Sequence, residues 1–186
     1  MSKKIFVLLQ ARLNSSRLYQ KSLLPIDGKS LVELCYGNAF FNNKNFEFIV
    51  LIPKNKKSYL LEKELVEKNI KYFKGDENNV LLRFSQFLKD KSRDSTVIRL
   101  TADNPFVDKK FIKFCLNIFK KNQFKYFSSH ENLINTPYGL SIEIFKAHMI
   151  FESLKFSKDK KNIEHVTPYI RKKYLKYTSF FCKEFD

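Results

Sequence analysis

Leu9-Gln10-Ala11-Arg12-Leu13-Asn14-Ser15-Ser16-Arg17-Leu18-Tyr19-Gln20-Lys21-Ser22-Leu23-Leu24-Pro25 is the stretch on which the reading of this chain turns. Ile5 to Leu9, leading into it, is an unbroken apolar run and predicts a short buried strand. Two arginines and a lysine follow, Arg12, Arg17 and Lys21, with Asn14, Ser15 and Ser16 among them. A polar loop leaving the carboxyl end of a first strand is the ordinary ligand position in an open α/β sheet. Backbone amides there can cradle phosphate, and fixed cations can hold its charge. The same residues taken alone also describe an exposed basic loop beside a strand, since a basic loop is a weak phosphate signal.

Outward from this loop, the composition narrows the choices. The 186 residues suffice for one domain with a sizeable core, and 44% apolar with 16% aromatic residues argues for a globular fold. Only 4 glycines exclude collagen-like and low-complexity classes. Lys plus Arg outnumber Asp plus Glu 35 to 19, a net charge of +16 that favours polyanionic partners. Much of the excess lies in runs such as Lys54-Asn55-Lys56-Lys57 and Lys158-Asp159-Lys160-Lys161, the pattern of a solvated surface. Cys35, Cys115 and Cys182 are odd in number and far apart, which argues against a zinc site or a disulfide framework and for a reducing compartment. The apolar run after Met1-Ser2-Lys3-Lys4 is too short for a signal peptide, and no stretch approaches the roughly 20 apolar residues of a membrane span, so a soluble cytoplasmic protein is expected.

Along the chain, strand-like and helix-like segments alternate. Ser30 is placed to cap a helix to about Phe40, with Glu33 completing a capping box. Phe46 to Ile52, Ile70 to Phe73, Thr96 to Leu100, Phe124 to Ser128 and Tyr177 to Phe181 read as strands. Ser58 to Glu67, Val80 to about Lys89, and Lys109 to Lys121 behind an Asp108 cap read as helices. Pro168 marks a helix start or a kink. Asp103, in Thr101-Ala102-Asp103-Asn104-Pro105, stands at a strand's carboxyl end in a proline-containing turn. That position suits Mg²⁺ on a bound triphosphate, although Asp is also an ordinary turn residue.

Five motifs carry a resemblance. Gln10-Ala11-Arg12, Ser15-Ser16-Arg17-Leu18, Lys21, Leu23-Leu24-Pro25 and Gly28-Lys29 together resemble the opening signature of the SpsF-type nucleotidyltransferases. These belong to the wider cytidylyltransferase family, with the CMP-Kdo and CMP-sialic acid synthetases. Gly75 to Arg83 resembles the segment beside the nucleotide base, Thr101 to Asp108 the metal-binding motif, and Tyr138 to Phe145 the acceptor-lining segment. Glu164-His165-Val166-Thr167-Pro168-Tyr169-Ile170 matches its counterpart without a change. The departures are Asn14 for a Gly, Tyr19-Gln20 for a Pro-Gly pair, Asn79 for an Asp, Ala102 for a Gly and Ser141 for an Asp.

The resemblance implies a three-layer α/β/α fold with a mostly parallel, Rossmann-like sheet of the nucleotide-diphospho-sugar transferase kind, a single domain over residues 1–186. It implies CTP as donor, Mg²⁺ as cofactor and a small phosphorylated or carboxylated acceptor. Arg12, Lys21 and Asp103 are the implied catalytic residues, with Asp103 the metal ligand. Leu9, Gln10, Ala11, Arg12, Ser15, Ser16, Arg17, Lys21, Asn79, Arg83, Thr101 and Ala102 are implied at the nucleotide, and Tyr138, Glu143, Glu164 and His165 at the acceptor. Glu143 read alone is the outward residue of a half-buried strand, and His165 is expected to bind acceptor or support structure rather than act as a base. Family members continue into a further strand bearing a second metal-binding Asp, so the resemblance implies either that a C-terminal strand is lacking here or that the second carboxylate comes from elsewhere, with Asp186 a weak candidate. A homodimer is compatible with this reading. Two rivals stay open: a basic nucleic-acid-binding module, against which the absence of any such signature argues, and a non-catalytic relative.

Overall fold

The computed structural model describes residues 4–14, 18–137, 139–156, 160–176 and 178–181. Among them the strands are β1 (Ile5–Gln10), β2 (Pro25–Ile26), β3 (Lys29–Ser30), β4 (Phe46–Pro53), β5 (Tyr72–Gly75), β6 (Thr96–Thr101), β7 (Tyr126–Ser128), β8 (Leu133–Ile134), β9 (Glu143–Lys146) and β10 (Phe180–Phe181). The helices are α1 (Leu31–Ala39), α2 (Tyr59–Glu67), α3 (Val80–Leu88), α4 (Lys109–Lys121), α5 (Ser129–Asn132), α6 (His148–Phe156), α7 (Lys160–His165) and α8 (Pro168–Tyr174).

Six strands form the central sheet in the order β5-β4-β1-β6-β9-β7. The first four are mutually parallel and β9 runs against both its neighbours. β1 lies in the middle, Ile5 to Gln10 facing Phe46 to Leu51 of β4 on one side and Thr96 to Thr101 of β6 on the other. Its apolar run is therefore explained: both faces of the strand are covered. Alternate residues divide between two cores. Val7, Leu9, Val50, Ile52 and Ile98 pack with α1, α2 and α4, and Phe6, Leu8, Ile49, Leu51 and Val97 pack with α3, α6 and α8. The result is the expected three-layer α/β/α arrangement.

Local chemistry sets the element ends. Asp27 and Gly28 both have positive φ (50° and 73°) between β2 and β3, as a tight two-residue hairpin turn requires. The Ser30 hydroxyl accepts from Glu33 N at 3.3 Å, while the Glu33 carboxylate turns to Lys68 at 3.0 Å. Asp108 Oδ1 accepts from Phe111 N at 2.7 Å and starts α4. Replacing Asp108 by Ala should cost about 1 kcal/mol, the ordinary value of an N-cap. Thermal unfolding would then shift down by about 2–4 °C; no shift would show that the cap contributes nothing to α4.

Two strands begin two residues later than the sequence suggested, β5 at Tyr72 and β7 at Tyr126. The cause is shared. Asn69 and Gln123 take left-handed backbone (both φ 51°), and the amides of Ile70 and Phe124 donate back to Leu65 O (2.8 Å) and Phe119 O (3.0 Å). The two apolar side chains are buried as the closing contact of the preceding helix. The C-terminal strand is also shorter than expected: β10 is Phe180–Phe181, and it pairs with β8 outside the central sheet. Buried Asn132 ties this segment down, donating to Lys176 O at 2.8 Å and Thr178 O at 3.0 Å. Among the described residues no helix is long and apolar enough to cross a membrane.

Candidate active site

The chain leaves β1 toward β4 on one side and returns to β6 on the other, so the carboxyl ends of β1 and β6 open a crevice at the switch point of the sheet. Ala11 N donates to Leu51 O at 3.1 Å and Ala102 N to Gln10 O at 3.0 Å, which holds the two outgoing loops side by side. Lys21 Nζ lies 3.3 Å from Asp103 Oδ2, and Arg12 Nη2 lies 2.8 Å from Glu164 Oε1. Residues distant in sequence are thus paired at this end of the sheet. Ser22 Oγ donates to Arg12 O at 3.0 Å and steadies the loop between them.

Gln20 takes φ 56°, ψ 23°, the left-handed backbone that a glycine adopts freely. The exchange of Pro-Gly for Tyr19-Gln20 therefore leaves a glycine-like turn in place, at some local strain. Burial alone would raise the Asp103 carboxyl, but the Thr101 hydroxyl and the Lys21 ammonium outweigh it and hold the group below its ordinary value. Asp103 is an anion at neutral pH, half exposed. It supplies a hard oxygen donor, and Mg²⁺ takes one or two carboxylates with the remainder from substrate phosphates and water, so the residues fit such an ion. Among the described residues no group of three or more His, Cys, Asp or Glu is arranged to hold a metal without substrate.

From Arg12 a cleft of about 440 Å³ runs toward the carboxyl ends of β4 and β5, past Pro53, Asn55, Glu77 and Val80. Arg83 forms part of its wall but is 2% exposed. Its Nε donates to Asp76 O at 2.9 Å and its Nη2 to Glu77 O at 3.0 Å. Burial lowers its pKa to about 10, with Asp76 opposing and Arg12 reinforcing, so the guanidinium stays charged at pH 7. Asn79 is spent on the helix, its Oδ1 accepting from Leu82 N at 2.7 Å. Leu9 and Ala11 are in the core and offer only backbone to the crevice. Thr101 and Ala102 lead directly into Asp103, with Thr101 Oγ1 accepting from Asn104 Nδ2 at 3.0 Å. Ser15, Ser16, Arg17, Tyr138 and Asp186 lie outside the described residues.

On the other side of the Arg12–Glu164 pair is a second hollow of about 550 Å³, lined by Arg99, Glu143, His165, Thr167 and Arg171. Glu143 is 13% exposed and crowded with partners. Arg99 Nη1 and the Tyr126 hydroxyl donate to it, and Thr167 Oγ1 donates at 2.7 Å. Arg99 also donates from Nε to Gln10 Oε1 at 3.0 Å, so the network runs back to the end of β1. Burial and then the Glu143 charge push the Tyr126 phenol well up, keeping it a donor. Val166, fully buried, is held at φ 69°, a conformation a β-branched residue rarely takes. That kink leaves His165 exposed while Thr167 is buried against Glu143.

Asn55, Glu77 and Arg99 were not singled out by the sequence. Asn55 follows the carboxyl end of β4, where the switch-point rule points. Arg99 is an isolated charge in the apolar β6, a signal that a buried partner exists.

Cations and a carboxylate on the loops that follow adjacent β1 and β6, at the switch point of a mostly parallel sheet, mark the ligand position of an open α/β fold, and comparison with known proteins gives the class. The cytidylyltransferase family profile matches residues 6–186, and the chain belongs to that family of nucleotidyltransferases. The spore coat polysaccharide biosynthesis protein SpsF of Bacillus subtilis (strain 168) is 28% identical over 172 residues, 90% of this chain and 70% of that protein. Among solved structures, a cytidylyltransferase from Leptospira borgpetersenii serovar Hardjo-bovis superposes with a TM-score of 0.81 at 22% identity, over 92% of this chain and 74% of that one. A CMP:2-keto-3-deoxy-manno-octonic acid synthetase complexed with CTP does so with a TM-score of 0.67 at 14% identity, over 91% and 86%.

Proposed function

We propose that residues 1–186 act as one catalytic domain that transfers CMP from CTP to a small anionic acceptor in the cytoplasm, for capsule or other surface polysaccharide synthesis. The acceptor is a sugar acid or a phosphate monoester such as phosphoglutamine or glycerol phosphate. The observation that carries this reading is that Arg12 and Asp103 follow the carboxyl ends of the adjacent strands β1 and β6 at the switch point, each in an ion pair, with Glu164 and Lys21 respectively. The surface-polysaccharide role is supported by the name of the Bacillus relative, and CTP by the complex of the synthetase with that nucleotide.

In this reading Arg12 and Lys21 bind the triphosphate, with Arg17 and the Ser15-Ser16 backbone assigned beside them. Mg²⁺ on Asp103, when bound, neutralises charge on the phosphate oxygens. Lys21 and Arg12 each exchange a carboxylate for a phosphate when the nucleotide arrives. An acceptor oxygen attacks the α-phosphorus in line, the bond from the α-phosphorus to the bridging oxygen breaks, and pyrophosphate leaves with that electron pair. Positioning and fixed charge supply the rate, since phosphoryl chemistry asks for little covalent help. The hollow beside His165 and Glu164 takes the acceptor. Glu143 acts there as a holder of Arg99 and Thr167, because its own oxygens are already engaged.

Pyrophosphate release with Mg²⁺, each of the four nucleoside triphosphates and a panel of sugar acids and phosphate monoesters tests the reading. Release with CTP and one acceptor class is expected. CTP binding with no release for any acceptor would favour a non-catalytic relative, and steep salt-dependent binding of a random oligonucleotide in place of CTP would favour a nucleic-acid module.

A further inference from the structure

Helix α1 touches both loops of the site. It begins where the hairpin after the Lys21 loop ends, with Leu31 N donating to Leu24 O at 3.0 Å. In its last turn Asn38 Nδ2 donates to Pro105 O at 2.7 Å, joining residues 67 apart in sequence just beyond Asp103. Between these points the buried Cys35 lies under the same turn. Burial, and then the Asp103 charge, push its thiol up to about 12, with the Asn104 amide opposing them.

The turn itself is only partly self-supporting. Asn104 N donates to Thr101 O at 3.2 Å and Asn104 Nδ2 to Thr101 Oγ1 at 3.0 Å, which folds its first limb back on the end of β6. On the second limb Pro105 has no amide hydrogen to give, and its carbonyl is the group that Asn38 takes. Helix propensity does not account for Asn38. The position is exposed and follows Gly37, where a Cβ would meet nothing within 4 Å. Asn and Gly are both poorer helix formers than Ala, Lys or Glu.

We propose that Asn38 is a positioning residue for the metal carboxylate: by holding Pro105 O it fixes the turn from α1, and so fixes where the Asp103 oxygens stand. The assignment rests on the nucleotidyl-transfer reading and adds a residue that touches neither nucleotide nor metal. Mg²⁺ demands near-ideal octahedral geometry, so a carboxylate on a loose turn binds it less well than one held in place. Groups that orient a metal ligand from behind are worth about 10–100-fold in metal affinity. Asn38 acts through the backbone of the turn, which puts its effect at the lower end of that range.

The test is calorimetric titration of the full chain with CTP, in Mg²⁺ and in EDTA, for the parent protein, Asn38→Ala and Asn38→Gln. The parent protein should bind CTP more tightly in Mg²⁺. Asn38→Ala should reduce that Mg²⁺ advantage by about tenfold and leave the affinity in EDTA unchanged. Asn38→Gln, which keeps an amide donor on a longer arm, should restore part of the advantage. Both variants should unfold near the parent temperature, because an exposed side chain gives way to a better helix former. An undiminished Mg²⁺ advantage in Asn38→Ala, or an equal loss in Mg²⁺ and in EDTA, overturns the positioning role and leaves the transfer reading standing. Equal CTP affinity of the parent protein with and without Mg²⁺ overturns the positioning role together with the metal assignment of Asp103. Binding of no CTP by the parent protein overturns the transfer reading as well.

Discussion

Pyrophosphate release by the Asp103→Ala protein is expected to fall by about 10²–10³-fold, the range seen when one preorganised electrostatic group is removed from a reaction centre. The carboxylate stands at the end of β6 with Lys21 at 3.3 Å and the Thr101 hydroxyl beside it, and both favour its charged form. The fold should survive. A pair this exposed is worth about 0–1 kcal/mol, so the unfolding midpoint should move by no more than about 2–4 °C. The pH dependence has a defined sign. Asp103 is held below its ordinary value, so its stabilising effect is present above the unfolded-state pKa and is lost as pH falls through the lower folded one. The stability difference between the two proteins should therefore be flat from pH 6 upward and close only in strong acid. A chelator should reproduce the rate loss in the parent protein and add little to Asp103→Ala. Turnover undiminished in the variant would take Asp103 off the reaction path.

Arg83→Ala is the second large expected effect, and it falls on stability and binding together. The guanidinium is buried and is spent on Asp76 O and Glu77 O, so removing it strands two carbonyls and opens a void. Together these cost about 3 kcal/mol or more. The unfolding midpoint should drop by about 6–12 °C, and CTP affinity should fall because the 76–79 loop loses its shape. Arg83→Lys should show nearly the same midpoint loss, since one ammonium cannot replace a two-pronged donor. Gly75 belongs to the same device. A Cβ there would stand 2.6 Å from Arg83 Cγ and 2.7 Å from Gln86 Oε1, so the arginine reaches the loop only past a glycine. A lowered CTP affinity with an unchanged midpoint would instead make Arg83 a direct nucleotide contact.

Much of the architecture was legible because it rests on short-range rules. The Ile5 to Leu9 run announced a strand covered on both faces, and β1 is the middle of the sheet. Asp108, Ser30 and Pro168 mark helix starts where capping chemistry puts them. The late starts of β5 and β7 were not legible, because Ile70 and Phe124 look like strand residues until the left-handed turn before each is known to close a helix. At the candidate site the motifs named Arg12, Lys21, Asp103 and Glu164 individually. They did not reveal that these four form two ion pairs. Arg83 and Glu143 were named as ligand residues, and among the described residues both are held by protein groups, Arg83 by the carbonyls of Asp76 and Glu77 and Glu143 by Arg99, Tyr126 and Thr167.

Apolar periodicity, caps and turn residues act over a few neighbours, so the order of strands and helices, the α/β class and the loops worth inspecting follow from the chain read along its length. Which side chains meet is a different kind of fact. Lys21 and Asp103 are brought together, as are Arg12 and Glu164, or Asn55 and Glu77, by the order of strands in the sheet and by the crossover at β1 and β6. Whether a charge is a ligand or a strut depends on the partners it finds after folding. Burial decides this, since an arginine enclosed at the wall of a cleft must bond to its own loop, whereas one at the mouth can release its carboxylate to a phosphate.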